Sequence, residues 1–263
     1  VLDIWQQAAR LERMHGTHEL FTALLERGVE QCPQAESLWL LYADDRRRAG
    51  DVSGARTILA RAFDANLGSE SISLAAATLE SDLGDMHAAA KLLMRAREEV
   101  RTERVWITSV QVAWRQGAYD DALTLAKNAL ERFPALEAVY TMQARLYETK
   151  GDLGAAREAL AAGRRACPTS IMLWLLSSRL EERTGALIRA RALLEKGRQA
   201  HPTSDELWAE SAAVELRANS AAQAKTLLSR GLQACPSSGR LLSAAIWLEP
   251  RPARKSRAAD ALR

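Results

Sequence analysis

The stretch CPTSIMLWLLSSRLEERTGALIRARALLEKGRQAHPTSDELW, Cys167 to Trp208, opens and closes on one phrase: Pro, Thr-Ser, then Leu-Trp. The two copies stand 34 residues apart, with Gly185 between them. Aligning the whole chain on that tryptophan gives Trp5, Trp39, Ser73, Trp106, Tyr140, Trp174, Trp208 and Leu242, spaced by 34, 34, 33, 34, 34, 34 and 34 residues. A period this regular is the mark of a repeat architecture, in which each unit buries its apolar face only by stacking on its neighbours.

The remaining positions of the unit say what is repeated. Eleven residues after each ladder position stands Gly16, Gly50, Gly84, Gly117, Gly151, Gly185 or Asn219, residue types that tolerate the left-handed conformation ending a helix. Five further on come Ala55, Ala89, Ala122, Ala156, Ala190 and Ala224, with Phe21 the exception in the first unit. Leu25, Leu59, Leu93, Leu160, Leu194 and Leu228 follow at helical spacing, and three residues later Gly28, Ala62, Ala96, Gly163, Gly197 and Gly231. Pro33, Pro134, Pro168, Pro202 and Pro236 close the unit, since proline cannot continue a helix. Each unit therefore reads as two antiparallel helices of about 13 to 15 residues. The fold expected is all-α, a right-handed superhelical solenoid of helical hairpins running over 1–263 as one domain, with seven full units and part of an eighth.

Composition agrees: the 263 residues hold only 14 Gly and 7 Pro, few for an all-β chain. The chain opens on Val-Leu-Asp-Ile-Trp, already in the repeat pattern, so a fragment of a longer protein is expected. No run approaches the roughly 20 apolar residues that a membrane span needs. Cys32, Cys167 and Cys235 each precede a proline and share one repeat position. Equivalent positions of stacked units lie too far apart for a disulfide, with its Cα separation of about 4.4–6.8 Å, so free thiols in a reducing compartment are expected.

The ladder residues Trp5, Trp39, Trp106, Tyr140, Trp174 and Trp208 are assigned to the inter-repeat core, because burying 150–250 Å² of an aromatic contributes about 4–6 kcal/mol as an upper figure. Trp114 and Trp247 fall outside the ladder; Trp247 is expected to compensate for the missing tryptophan at Leu242. In hairpin repeats the first helices line the concave face. The position five after the ladder residue then faces the groove: Arg10, Asp44, Gln111, Arg145 and Arg179. Arg10, Arg145 and Arg179, with Trp114, are the candidate partner-binding residues, since the forked donors of arginine suit an acidic segment.

Catalytic chemistry finds little footing. GDVSG and GDLGAA match no phosphate-binding loop and recur as inter-helix turns. His15 and His18 flank a turn glycine and read as a solvated turn, not a metal site. Glu181 and Glu182, beside Arg183, read as an ion-paired surface. Arg46, Arg47 and Arg48 end a first helix, where the helix dipole favours cations. No enzyme activity, metal, cofactor or small-molecule substrate is expected. A net charge of +3 is mild for nucleic-acid binding. The basic tail with Arg251, Arg254, Lys255, Arg257 and Arg263 is the candidate for RNA contact, or a charged cap on the end of the solenoid.

Glutamate stands seven residues after the ladder position, as in Trp5 to Glu12, Trp174 to Glu181 and Trp208 to Glu215, with Glu80 and Glu249 in the units headed by Ser73 and Leu242. Second helices read GARTILARA (54–62) and IRARALLEKG (188–197). This pattern resembles the half-a-TPR (HAT) repeat, found mainly in RNA-processing assemblies. AGDVSGARTILARAF (49–63), LWLLSSRLEERTGALIRARALLEKGR (173–198) and AAIWLEPRPARKSRAADALR (244–263) further resemble the C-terminal HAT array of the factor-six family of pre-mRNA-processing proteins. That resemblance implies a nuclear, non-catalytic scaffold bridging splicing proteins of the U5 and U4/U6 particles in the tri-snRNP. An RNA-binding or homodimerising HAT scaffold of another RNA-processing complex is the alternative. Arg56, Arg157 and Arg191 recur six residues after the turn glycine and are candidate partners for Glu80, Glu181 and Glu215.

Overall fold

The computed structural model describes residues 2–261. Among them are sixteen helices and no strand. They are α1 (Leu2–His15), α2 (His18–Gln31), α3 (Glu36–Arg48), α4 (Val52–Ala65), α5 (Glu70–Asp82), α6 (Met86–Glu99), α7 (Glu103–Arg115) and α8 (Tyr119–Arg132). The second half holds α9 (Glu137–Thr149), α10 (Leu153–Ala166), α11 (Ile171–Arg183), α12 (Leu187–Ala200), α13 (Asp205–Arg217), α14 (Ala221–Ala234), α15 (Gly239–Leu248) and α16 (Arg251–Ala261). The chain divides into two compact units, Val1–Phe133 and Pro134–Arg263. In each, consecutive helices pair as hairpins and consecutive hairpins stack, a tetratricopeptide-like all-α solenoid.

The turn residues act as their chemistry requires. Gly50, Gly84, Gly117, Gly151 and Gly185 have φ between +78° and +84°, and Asn219 has +58°. Each turn then closes with a hydrogen bond from the next amide back to the helix, as in Asp51 N to Arg46 O at 2.9 Å and Ala186 N to Glu181 O at 2.8 Å, which satisfies a carbonyl the helix end would leave bare. Gly16 departs from the set: its φ is not positive, and Thr17 starts α2 by accepting from Leu20 N. First helices are started by Ser69, Ser170, Ser204 and Ser238, whose hydroxyls accept from the amide three residues on.

Close approach explains the small residues. Ala55, Ala89, Ala122, Ala156, Ala190 and Ala224 have no exposed surface. A Cβ added at Gly163 would lie 3.0 Å from Tyr140 Cβ, and one at Gly231 would lie 3.0 Å from Trp208 Cβ. The ladder aromatic thus rests on the glycine of its own second helix, and the leucine of the next first helix closes the contact. Trp39, Trp106 and Tyr140 are buried, whereas Trp5, Trp174 and Trp208 are half-buried. Trp39, Tyr140 and Trp208 donate to the carbonyl six residues before them, on Pro33, Pro134 and Pro202. Trp247 corrects the sequence expectation. It is 72% exposed, outside the core, with the Arg254 guanidinium 5.0 Å from its ring.

Cys32, Cys167 and Cys235 are free thiols. Their repeat position has a bonding role: Asn66 donates to Pro33 O, His201 hydrogen-bonds Pro168 O and Cys235 donates to Thr203 O, each linking one unit to the one before. No helix among the described residues is long and apolar enough to cross a membrane.

Candidate interaction surface

The charges divide into two sets by burial. The first is a ladder at a spacing of 24 residues. Arg56 on α4 meets Glu80 on α5, with Nε at 2.7 Å and Nη2 at 2.5 Å. Arg157 on α10 meets Glu181 on α11 at 2.7 Å, Arg191 on α12 meets Glu215 on α13 at 2.8 and 2.6 Å, and Lys225 on α14 meets Glu249 at 3.6 Å. Glu80, Glu181 and Glu215 are buried, so Glu181 lies inside the packing and not on the surface that its place beside Arg183 suggested. The hydrogen bond that each arginine donates to its carboxylate, from Arg56 to Glu80 and from Arg157 to Glu181, holds these two groups above the usual arginine range. Buried carboxylates of this kind pin one hairpin to the next in a single register; they are structural.

The second set lies on the solvent-accessible faces of the first helices α9, α11 and α13. Arg183 on α11 donates to Glu148 on α9 at 2.6 Å. Arg217 on α13 grips Glu182 on α11 through two bonds of 2.6 and 2.8 Å and also reaches Glu210 at 2.9 Å. Arg179 on α11 donates to the other Glu210 oxygen at 2.7 Å. Burial pushes the Glu210 carboxyl up, but the bonds from Arg179 and Arg217 outweigh it and hold the group below the usual carboxylate range. Arg217 is held above the ordinary arginine range by Glu182 and Glu210.

Of the residues singled out from the sequence, Arg145 on α9 is exposed and makes no ion pair among the described residues. Arg179, one repeat further on, is exposed but engaged by Glu210. Arg10 is exposed on α1, and Trp114 is half-buried on α7; both belong to the first unit. Asp44 is taken up by Arg47 and Arg48, and Gln111 is exposed. Glu182 and Arg183, read from the sequence as an ion-paired surface, are ion-paired there, each to a residue one repeat away; sequence reasoning missed their partners Glu148 and Arg217, and Glu210. A signal for two of the pairs was present: glutamate at 148 and 182, and arginine at 183 and 217, each recur 34 residues apart.

Chemically this face is a lattice of opposite charges that largely neutralise one another. Four arginines against three glutamates leave one positive charge in excess, too little for the counterion-release drive of a polyanion site. In the basic tail, Arg254 is held by the carbonyls of Trp247 and Glu249, both at 2.9 Å. Arg251 and Lys255 are exposed, while the side chain of Arg257 and all of Arg263 lie outside the described residues. Among the described residues no group of three His, Cys, Asp or Glu side chains could hold a metal ion. His18 lies 3.4 Å from Asp45.

Stacked two-helix units with left-handed turns, a ladder aromatic seated on a small residue and no sheet define a tetratricopeptide-type repeat protein. Family models described as tetratricopeptide repeat match residues 2–45 and 113–180. The chain is a HAT-type repeat protein similar to the pre-mRNA-splicing factor prp1 of Schizosaccharomyces pombe: 45% of residues are identical over 173 positions, which cover 66% of this chain and 19% of that protein. It thus spans about a fifth of the length of that curated relative. Among solved structures, yeast Tom70 has a TM-score of 0.56 at 18% identity, covering 98% of this chain and 60% of that one. A tetratricopeptide repeat protein from Parabacteroides merdae has 0.52 at 14% identity, covering 100% and 99%. At these identities the likeness is one of fold.

Proposed function

We propose that this chain is a non-catalytic protein-interaction scaffold of pre-mRNA splicing, acting in the nucleus, and that it holds U5 and U4/U6 components together in tri-snRNP assembly. The observation that carries the reading is the 45% identity to prp1 over 173 residues of a repeat array, far more than a shared hairpin pattern demands. The unbroken period of 33 to 34 residues supports treating 1–263 as one array. Such arrays work by presenting an extended surface to partners.

Within that scaffold the proposed contact residues are Arg145 and Arg179 in the second unit and, separately, Arg10 and Trp114 in the first. Arg145 is the readiest of them, because its guanidinium is exposed and no carboxylate among the described residues pairs with it. The mutual neutralisation on α9, α11 and α13 favours a partner protein that exchanges ion pairs over a bare RNA backbone. The test is charge reversal. Arg145→Glu with Arg179→Glu is expected to abolish capture of U5 and U4/U6 proteins from nuclear extract while leaving the helical spectrum unchanged. Full capture by a folded double variant would remove this face from the account.

A further inference from the structure

The groove between α10, α11 and α12 gathers cations that the repeat does not require. It holds about 300 Å³ over an aliphatic floor that includes the buried Leu160 and Leu180. Around it stand Arg157, Arg164, Arg189 and Lys196 against one carboxylate, Glu181, which leaves three positive charges in excess. In the groove between α4, α5 and α6 the charges cancel, with Arg56 and Arg95 against Asp64 and Glu80. The register shows how the excess arises. Arg164 stands thirteen residues after its turn glycine, and Arg189 and Lys196 stand four and eleven after the next one. No other full unit sets cations at all three positions: the third has Phe63, Ala88 and Arg95, the fourth Arg97, Asp121 and Asn128, and the seventh Arg198, Gln223 and Arg230.

Of the four cations, Arg157 has a structural partner in Glu181 at 2.7 Å. The other three have none. Arg164 is half-buried, with its guanidinium 5.0 Å from the Trp174 ring and a hydrogen bond donated to the Ser177 hydroxyl. Burial, and after it the charge of Arg165, hold Arg164 below the usual arginine range. Glu181 acts in the opposite sense but makes no hydrogen bond to it, since its Oε1 is taken by Arg157. A guanidinium enclosed without a counter-charge is costly, and a carboxylate brought to it interacts strongly because water is partly excluded. Arg189 and Lys196 are exposed, lie seven residues apart on one face of α12, and make no ion pair among the described residues.

We propose that the α10–α12 groove binds an acidic segment of a partner protein, which sets a carboxylate on Arg164 between Arg189 and Lys196 and an apolar side chain against Ala192 and Leu193. Charge complementarity names the occupant, and the aliphatic floor selects a peptide over a nucleic acid. No aromatic ring among the described residues lines the groove for a base to stack on, and three excess charges are few for binding driven by counterion release. The site does not depend on which assembly the chain serves.

The probe is the peptide acetyl-Leu-Glu-Glu-Leu-Glu-Glu-amide, titrated into the isotope-labelled 263-residue chain and followed by amide chemical shifts. Its glutamine counterpart and an oligouridylate of equal charge are the comparison arms. Saturable binding of the acidic peptide is expected, shifting Arg164, Ser177, Arg189 and Lys196, weakening with salt, and absent for the glutamine peptide. Arg189→Glu with Lys196→Glu, both at exposed positions, is expected to weaken it about tenfold or more by turning attraction into repulsion. Arg189→Gln, the residue that the next unit carries at Gln223, is expected to weaken it severalfold. No saturation by the acidic peptide, shifts that map elsewhere, or equal affinity of the glutamine peptide would overturn the proposal. Oligouridylate binding the same residues as tightly as the peptide would overturn it in favour of a nucleic-acid site. Equal peptide affinity in a folded double variant would also do so, and if that variant fails to fold, unchanged affinity in Arg189→Gln would do so alone.

Discussion

Alanine at Gly163 and alanine at Gly28 are the same substitution at the same repeat position, and the packing gives them opposite signs. At Gly163 the new Cβ would sit 3.0 Å from both Cβ and Cγ of Tyr140 and 3.2 Å from Leu173 Cδ1. Tyr140 Cβ is fixed to the backbone of α9, so it cannot swing aside; α9 and α10 must move apart. Overpacking of this kind costs about 1–3 kcal/mol, and the better helix propensity of alanine offsets about 0.8–1.0 kcal/mol. Gly163→Ala is therefore expected to destabilise by up to about 2 kcal/mol. At Gly28 the nearest atoms, Leu38 Cδ1 and Trp5 Cε3, stand at 3.4 Å, an ordinary contact. Gly28→Ala is expected to stabilise by up to about 1 kcal/mol. Urea unfolding followed by circular dichroism reads both, with unchanged m-values as the check that only stability moved. If Gly163→Ala stabilises as Gly28→Ala does, the ladder aromatic does not rest on the glycine as described.

Glu181→Gln removes the charge that Arg157 grips while keeping the shape, and a lower melting temperature is expected; an unchanged one would demote the ladder to decoration. Gly185→Ala meets no atom within 4 Å but places a side chain at φ +78°. It is expected to cost about 1–2 kcal/mol from backbone strain alone, and an unchanged unfolding midpoint would show that the turn relaxes freely. For Glu210 the folded carboxyl is held below its unfolded value, so its stabilisation is complete above about pH 5 and is lost as pH falls through the folded value. Glu210→Gln should therefore flatten the acid limb of stability against pH; an acid limb identical to wild type would refute the pairing with Arg179 and Arg217.

Repetition made most of the fold legible. A turn glycine or a ladder tryptophan seen once is weak, but Gly50, Gly84, Gly117, Gly151 and Gly185 at one spacing fix the hairpin ends, and their positive φ values follow. The partnership of Arg56, Arg157 and Arg191 with Glu80, Glu181 and Glu215 was legible for the same reason. The burial of Glu181 was not, because a run of Glu-Glu-Arg hides that its three side chains leave the helix in different directions: Glu181 to α10, Glu182 to α13 and Arg183 to α9. Trp247 misled because spacing alone put it near a vacant ladder site, whereas the short helix α15 leaves it 72% exposed under Arg254. The loss of the ladder aromatic at Ser73 was visible in the register, but the burial of Ser73 and the bond of its hydroxyl to the Ser69 carbonyl were not.

The central claim is that the array recruits splicing components by protein contact. The most direct measurement is a pull-down from nuclear extract with the 263-residue chain as bait, with and without ribonuclease. Recovery of U5 and U4/U6 proteins that survives ribonuclease is the predicted result. Recovery that vanishes on ribonuclease treatment would contradict the claim and assign the bridge to RNA.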